Sequence, residues 1–427
     1  MKYIEKSVIA VERISSPFLD RFLKFISCSK TLDSLLKKRE NKKLRKINNP
    51  EKFLIVPDIN IGDAINHQAF IEKIKQYLPG SKIHYVYNRK AFPLIKSNPF
   101  VDTHHPILRS RVTPSSKDLE TLKKLLIRNK YDIIFNFSPF LPFSALKYGK
   151  ATVIHPIRFI GKIIRAYFAE HHKMHISFQL SQFGKEMAFR INPSGLNGKT
   201  SEGSPFTLRL YLSKDVYERA EKAAEKRGIL SDKKIIFFNP DSSSPYTLIP
   251  LKIQVHILKA VLSMSSVGQV LMNRGRSYRN IEKKILSQLP EELKRKILIF
   301  PLDTPIDVYA ALTDKTDIFM SADTGPMHIS AAEKVITDSE QKFRNQTALI
   351  GIFGATPSRL YGYDSFSEGH IDSAQNAPAK SFEGHPPCKN ITCIDKAFKN
   401  CPEIKCFNGI DPEEIISYIE SFIHHPG

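Results

Sequence analysis

The chain has 427 residues, 41% hydrophobic and 25% charged, and a formal net charge of +21. These values fit a globular protein of two or three domains with a real core, and 19 Gly and 27 Pro exclude a collagenous or low-complexity chain. The longest uncharged stretches, such as Ile133–Leu146 and Ala260–Asn273, fall short of the roughly 18 to 20 residues a membrane-spanning helix needs.

Residues 1–50 read as a basic helical extension, with eight Lys/Arg between Lys30 and Lys46 surrounding Leu32, Leu35 and Leu36. Such a helix either docks on an anionic membrane or lies solvated on the protein's own surface. Glu5 and Glu12 interrupt any apolar run there, so no secretory signal is expected. From Lys52 strands and helices alternate. Strands are expected over Phe53–Pro57, Lys82–Tyr87 and Asp132–Phe137, and a helix carries Ile65, Ala69, Ile74 and Tyr77. A stretch around 104–118 and a basic, aromatic segment over 151–178 interrupt the alternation. The pairs His104-His105 and His171-His172 lack a third ligand at helical spacing and read as surface or loop histidines.

A linker-like KTSEGS spans 199–204, and a second series follows. Its strands are Lys234–Phe238, Gln269–Met272, Ile297–Phe300, Asp317–Ser321 and Ala348–Phe353, with helices near 251–264, 279–288, 305–313 and 326–334. Such alternation implies parallel sheets covered on both faces, hence two doubly wound, Rossmann-like α/β domains facing a cleft. The expected organisation is an extension over 1–50, domains over 51–200 and 205–410, and a closing helix over 411–427. In that last helix Asp411, Pro412, Glu413 and Glu414 precede Ile415, Ile416, Ile419 and Phe422, an N-cap, first-turn proline and acidic first turn.

Ligands of such sheets bind beyond the carboxyl ends of the strands, so the loops there carry the chemistry. After the first strand come Asn60, Ile61, Gly62 and Asp63, where Asp63 either caps the following helix or serves as a general base facing the cleft. After strand 317–321 come Asp323, Thr324, Gly325, Pro326, Met327 and His328. Gly325 permits close approach of a ligand and Pro326 suits a helix's first turn, so this segment is either a pyrophosphate site or an ordinary capped turn. Asn239 opens a third loop whose Ser242, Ser243 and Ser244 hydroxyls can bond phosphate oxygens. A fourth, Gly351–Thr356, has small residues that permit close packing against a base or sugar.

Four cysteines, Cys388, Cys393, Cys401 and Cys406, crowd into the C-terminal part. They can bind one zinc, although their spacings exceed the short gaps of typical zinc sites, or form a local structural clamp. Five cysteines in all are too few and too crowded for a disulfide-stapled secreted protein, so a reducing cytoplasm is expected. The positive field attracts polyanions, which leaves nucleic acid, phospholipid headgroups and phosphorylated glycolipid as partner classes. No zinc-finger, RNA-recognition or helix-turn-helix signature supports nucleic acid.

Together the loops resemble glycosyltransferase family nine, the bacterial lipopolysaccharide heptosyltransferases. The matching segments are FLIVPDINIGDA (53–64), PGSKIHYVYNRKAFPLIKSNPFVD (79–102), FFNPDSSSPYTLIP (237–250), SADTGPMHISAA (321–332), LIGIFGATPSRLYGY (349–363) and DPEEII (411–416). The resemblance implies a GT-B fold with an N-terminal acceptor domain and a C-terminal nucleotide-sugar domain, and transfer with inversion and no required metal or cofactor. It implies ADP-heptose as donor and the anionic lipid A–core glycolipid as acceptor, at the cytoplasmic face of the bacterial inner membrane with peripheral membrane contact. On this resemblance Asp63 is the base. Asp323, Thr324 and Gly325 match the residues that hold the donor's sugar and diphosphate, with His328 on the same helix, and Ser243 and Ser244 match its hydroxyl loop. From the residues themselves, Asn239, Ser242, Arg274 and Pro326 are further donor candidates, Asn60 and Gly62 stand beside the base on the acceptor side, and Arg158 and Arg165 of the basic segment are candidates for a phosphorylated acceptor. Two departures stand out. Tyr246–Pro250 lacks the basic residue many members carry there, and the loop Asn273–Ser277 lacks the acidic residue that usually meets the nucleoside ribose. A donor other than ADP-heptose, or binding without turnover, therefore stands as the alternative.

Overall fold

The computed structural model describes residues 38, 40–47, 49–57, 60–108, 115–138, 141, 143–154, 174–193, 206–229, 232–242, 244–274, 279–301, 303–338, 342–343, 347–367, 378–385 and 405–424. The KTSEGS linker, Arg158, Arg165, Ser243, Cys388, Cys393, Cys401 and most of the N-terminal extension lie outside them.

The N-terminal half is built on β1 (Lys52–Val56), α1 (Ile61–Tyr77), β2 (Lys82–Asn88), β3 (Thr103–Leu108), α2 (Ser116–Asn129), β4 (Ile133–Asn136), β5 (Thr152–Ile154) and α3 (Ile176–Ile191). The strands form one parallel sheet in the order β3-β2-β1-β4-β5. Phe53–Val56 of β1 and all of β4 are buried on both faces, as a parallel sheet under two helix layers requires. Helix α2 begins at a capping box in which Ser115 accepts from Asp118 N–H and the Asp118 carboxylate accepts from Ser115 N–H. It ends at Lys130, which adopts the left-handed conformation (φ 47°). Residues 40–44 are helical and lie against α3. Leu44 is buried, Arg190 Nη2 is 3.0 Å from Glu40 Oε2, and Arg190 Nε donates to Asn41 Oδ1 at 2.7 Å.

The C-terminal half contains β6 (Arg209–Leu212), α4 (Lys214–Lys226), β7 (Lys234–Asn239), α5 (Leu251–Ser263), β8 (Val267–Asn273), α6 (Ile281–Leu286), β9 (Ile297–Phe300), α7 (Ile306–Thr313), β10 (Ile318–Ala322) and α8 (Gly325–Ala331). β11 (Glu333–Ile336), β12 (Lys342–Phe343), β13 (Ala348–Phe353), β14 (Ala379–Glu383) and α9 (Pro412–His424) follow, with single helical turns at Glu291–Lys294, Ser358–Tyr361 and Asp364–Ser367. Six strands form a parallel sheet in the order β14-β13-β10-β7-β8-β9. Both sheets thus have the doubly wound order, which reverses between β1 and β4 in the first and between β7 and β10 in the second. These reversals are where such sheets leave a crevice for ligands.

Two stretches differ from expectation. The interruption around 104–118 contains the edge strand β3. The helix expected over 326–334 stops at Ala331, because Ala332 turns extended (ψ 135°) and Glu333–Ile336 pair in parallel with β6. The β-branched Val335 and Ile336 suit that strand, and the pairing buries Lys334 completely, where it meets Asp314 Oδ1 at 2.8 Å.

The halves share apolar and ionic contacts. Ile65, Ala69 and Leu94 of the first half pack in one cluster with Leu210, Leu212, Val308 and Ile329 of the second. Beside this cluster, Glu72 of α1 receives Arg209 Nη1 at 3.1 Å and the Tyr211 hydroxyl at 2.6 Å. Burial raises the Glu72 pKa, and Arg209 opposes that rise. Lys96 and Arg219 both reach Asp307 Oδ2 at 3.1 Å. Charges this well paired hold the two sheets in register with their carboxyl edges facing each other.

Candidate functional site

Asn60 is the extended residue before α1, and its side-chain amide donates to Asp63 Oδ2 at 2.9 Å. Asp63 therefore stands in the first turn of α1, half-buried, at the carboxyl end of β1. Directly across lies the turn from β10 into α8. The close approach depends on two glycines. A Cβ on Gly62 would lie 2.5 Å from His328 Cδ2, and one on Gly325 would lie 3.2 Å from Ile61 Cβ. The loop carrying Asp63 and the loop carrying Asp323–His328, 260 residues apart in sequence, are thus pressed together at the crevice.

His328 is 4% exposed and held at both ring nitrogens. Nδ1 is 2.8 Å from the Tyr363 hydroxyl, and Nε2 is 3.4 Å from Asp323 Oδ1. Burial, with Asp323 adding to it, pushes the Tyr363 pKa well above its ordinary value. The phenol therefore keeps its proton, and the imidazole lies between that hydroxyl and the Asp323 carboxylate. His175 packs against Tyr363 with ring centroids 4.5 Å apart and planes tilted by 42°, and is completely buried. Its Nδ1 accepts from Ser177 N–H at 3.2 Å and lies 2.6 Å from Ser177 Oγ. Burial first, and His328 second, hold its pKa well below the usual histidine value, so it is neutral.

The second crevice is closed by a polar network. Asn239, the last residue of β7, donates to Ser321 Oγ at 2.9 Å, Thr324 Oγ1 at 3.1 Å and the Asp241 carbonyl at 3.0 Å. Asn273, the last residue of β8, donates to Asn239 Oδ1 at 2.9 Å and Tyr309 Oη at 3.0 Å. Ser321 Oγ and Thr324 Oγ1 are 3.0 Å apart. Hydroxyls and amides from three strand ends and one helix are thereby fixed at the mouth of the sheet. The serine loop is folded on itself by a Ser242–Thr247 hydroxyl pair and by Ser244 Oγ accepting from Tyr246 N–H at 3.3 Å. Arg279 donates from Nη1 to Asp241 Oδ1 at 3.0 Å and to the Ser242 carbonyl at 2.6 Å.

The structure thus brings together Asn60, Gly62, Asp63, Asp323, Thr324, Gly325, Pro326 and His328 at one place, with Asn239, Ser242 and Ser244 on the adjoining loops. Arg274 is exposed, and its backbone N–H continues the β8–β9 ladder to Phe300 O at 2.9 Å. Small residues in the fourth loop serve internal packing, since a Cβ on Gly354 would lie 2.6 Å from the Phe407 ring. Cys406 is buried beside Phe407 in the core of the second half. Among the described residues no group of three His, Cys, Asp or Glu side chains is placed to hold a metal ion.

Sequence reading missed Arg279, Asn273, Tyr309, Tyr363 and His175. The run Asn273–Arg279 carries three arginines and signalled a basic loop, but which one turns inward depends on the tertiary fold. Nothing local marks His175 or Tyr363. The supposed surface pair His104-His105 lies in β3, and His105 Nε2 is 2.9 Å from His84 Nδ1, which is also 2.9 Å from the buried Tyr131 hydroxyl.

No protein-family model and no curated protein matches the chain. Solved structures do. A glycosyltransferase family 9 protein from Veillonella parvula is 14% identical, with a TM-score of 0.62 over 88% of this chain and 97% of that one. The Escherichia coli ADP-heptose lipopolysaccharide heptosyltransferase II is 15% identical, with a TM-score of 0.57 over 87% and 98%. E. coli heptosyltransferase WaaC, solved with ADP-2-deoxy-2-fluoro heptose, is 11% identical, with a TM-score of 0.52 over 87% and 99%. The resemblance read from the loops is therefore matched across nearly the whole length of these proteins at the level of fold, and the chain has the two-sheet GT-B architecture of the heptosyltransferases.

Proposed function

We propose that the protein is an inverting glycosyltransferase, with ADP-heptose as donor and the anionic inner core of lipopolysaccharide as acceptor. The observation that carries this reading is the meeting of the Asp63 loop with the Asp323–His328 segment across the crevice. One carboxylate stands on the N-terminal side, and a hydroxyl- and amide-lined mouth on the other.

In this reading Asp63 takes the proton from an acceptor hydroxyl as its oxygen attacks the anomeric carbon. The bond from that carbon to the diphosphate oxygen breaks, and the nucleoside diphosphate departs with the electron pair from the opposite face, which inverts the centre. Charge growing on the diphosphate is met by the Thr324 and Ser244 hydroxyls, fixed before the reaction begins. Asp323, oriented by His328, faces the sugar. Arg279 is paired with Asp241 and holds the serine loop in shape behind these hydroxyls. The net charge of +21 favours an anionic glycolipid acceptor, on the cytoplasmic face of the inner membrane. Among the described residues no helix is long and apolar enough to cross a membrane.

Turnover of ADP-heptose with a deacylated inner-core acceptor, alongside titration with ADP, UDP and GDP, tests the reading. Asp63→Asn should lower kcat by about 10²- to 10⁴-fold, the usual share of general base catalysis, while leaving ADP affinity nearly intact. Full activity in that variant refutes the base assignment. Preference for UDP or GDP keeps the reaction class and discards heptose.

A further inference from the structure

The most exposed large apolar side chains among the described residues are Ile127 at 55%, Tyr148 at 51% and Met174 at 47%. Two of these three are neighbours. Lys123 Nζ stands 4.8 Å over the Tyr148 ring, Ile127 lies one turn further along α2, and Gly149 sits against the Leu126 carbonyl. Lys124, Arg128, Lys130, Lys147 and Lys150, on or next to the same two segments, are exposed. Acids also lie close: Glu120 is one turn back along α2 from Lys123 and Lys124, and Asp132, whose carboxylate accepts from the Glu51 and Lys52 backbone N–H groups, follows the helix. The end of α2 and the turn before β5 thus form one cationic surface with an aliphatic and an aromatic side chain at its centre.

We propose that this surface docks the protein on an anionic lipid bilayer. The charge selects an anionic partner, and the apolar pair narrows the choice. At a bilayer Ile127 enters the acyl boundary, Tyr148 sits at the headgroups with its hydroxyl in water, and the lysines extend to lipid phosphates. Single-stranded nucleic acid is held by stacking on aromatic faces, a role in which Ile127 has no part. The location leaves the surface open. Leu122 and Leu126 of α2 pack on the sheet face opposite the one covered by α1 and α3, and it is α1 that meets the C-terminal half. Because α2 runs back against the parallel strands, its last turn lies at the sheet edge remote from the crevice. At about 3.3 Å per residue, a five-residue strand would hold the crevice roughly 15–20 Å above the bilayer, open to solvent. Nothing in this inference draws on the proposed reaction.

The test is cosedimentation of the full-length protein with vesicles of phosphatidylethanolamine and phosphatidylglycerol, compared with phosphatidylcholine alone. The wild type should bind only the anionic vesicles. Lys124→Ala/Arg128→Ala should lower the partition coefficient about thirty-fold, about five-fold per charge. Ile127→Ser/Tyr148→Ser should lower it several-fold, with the loss persisting at high salt. Lys222→Ala/Lys226→Ala, the same charge change on exposed α4 of the other half, should leave it unchanged. Wild-type partition in both patch variants overturns the proposal, as does an equal loss in the α4 variant, which would make net charge the cause. Loss of affinity for single-stranded RNA, with vesicle binding retained, would make the surface a nucleic-acid site and also overturn it.

Discussion

Replacing Gly62 by alanine tests the close approach of the two halves directly. The added Cβ would stand 2.5 Å from His328 Cδ2, a separation that side-chain carbons do not adopt, so something must move. The imidazole cannot simply swing aside, because it is 4% exposed and held by the Tyr363 hydroxyl on one side and Asp323 on the other. Overpacking of this kind costs about 1–3 kcal/mol. Alanine recovers up to about 1 kcal/mol over glycine through helix propensity, and less in a first turn. The clash wins, and Gly62→Ala should be destabilised by about 1–2 kcal/mol. His328→Ala alone should also destabilise, since it strands the buried Tyr363 hydroxyl at a cost of about 1–3 kcal/mol. The double variant relieves the clash, so its loss should fall below the sum of the single losses by about 1–2 kcal/mol. Urea denaturation of the four proteins measures the cycle. Turnover measured in parallel should fall in Gly62→Ala, because displacing His328 releases Asp323. If the single losses add to within about 0.5 kcal/mol, the ring and the glycine do not press on each other and the reasoning fails.

Two further expectations concern buried ionisable groups. Lys334→Met should destabilise the C-terminal half by about 3–5 kcal/mol in denaturant, because it strands the buried Asp314 carboxylate, whose pKa burial raises. Lys334→Met/Asp314→Leu should recover part of that loss, and a double variant as unstable as the single one would show that the pair is not coupled. His84 is held at about 4 chiefly by burial, with His105 and Lys52 adding to it, against 6.5 when exposed. The folded state therefore binds its proton more weakly than the unfolded chain, and this stability is complete above about pH 6.5 and is lost as pH falls toward 4. The His105 pKa is lowered in the same direction. Unfolding midpoints followed from pH 7 to 4 should fall less steeply in His84→Gln than in the wild type, and identical slopes would refute this role for the His84–His105–Tyr131 cluster.

The alternation of strands and helices was legible because each element states its own period. β1, β4 and β10 are apolar runs buried on both faces, so no distant residue is needed to predict them, whereas α2 was not read although it carries its own capping box. Prediction failed where tertiary pairing overrides local pattern. Glu333–Ile336 follows a helix with nothing to break it, and it becomes a strand because β6, more than 120 residues earlier, offers an edge. The histidines of β3 looked like loop residues because their partners, His84 and Tyr131, come from other elements.

In the site the division runs along the same line. Asp63, Asp323, Thr324 and His328 were legible because each belongs to a loop with its own glycine and its own place after a strand. That Gly62 and Gly325 serve to let two loops touch, rather than only to turn the chain, was not. The touching partners lie in different halves, and sequence carries no distance between them. Arg279 shows the consequence for reading a resemblance position by position. The serine loop has lost the basic residue common at its end, and taken alone that loss points to weakened phosphate binding. In three dimensions a guanidinium 38 residues beyond Asp241 reaches the same loop, bonded to Asp241 and Ser242. That guanidinium is paired with Asp241, so it shapes the serine loop from a second loop, and a comparison made position by position does not display such a partner.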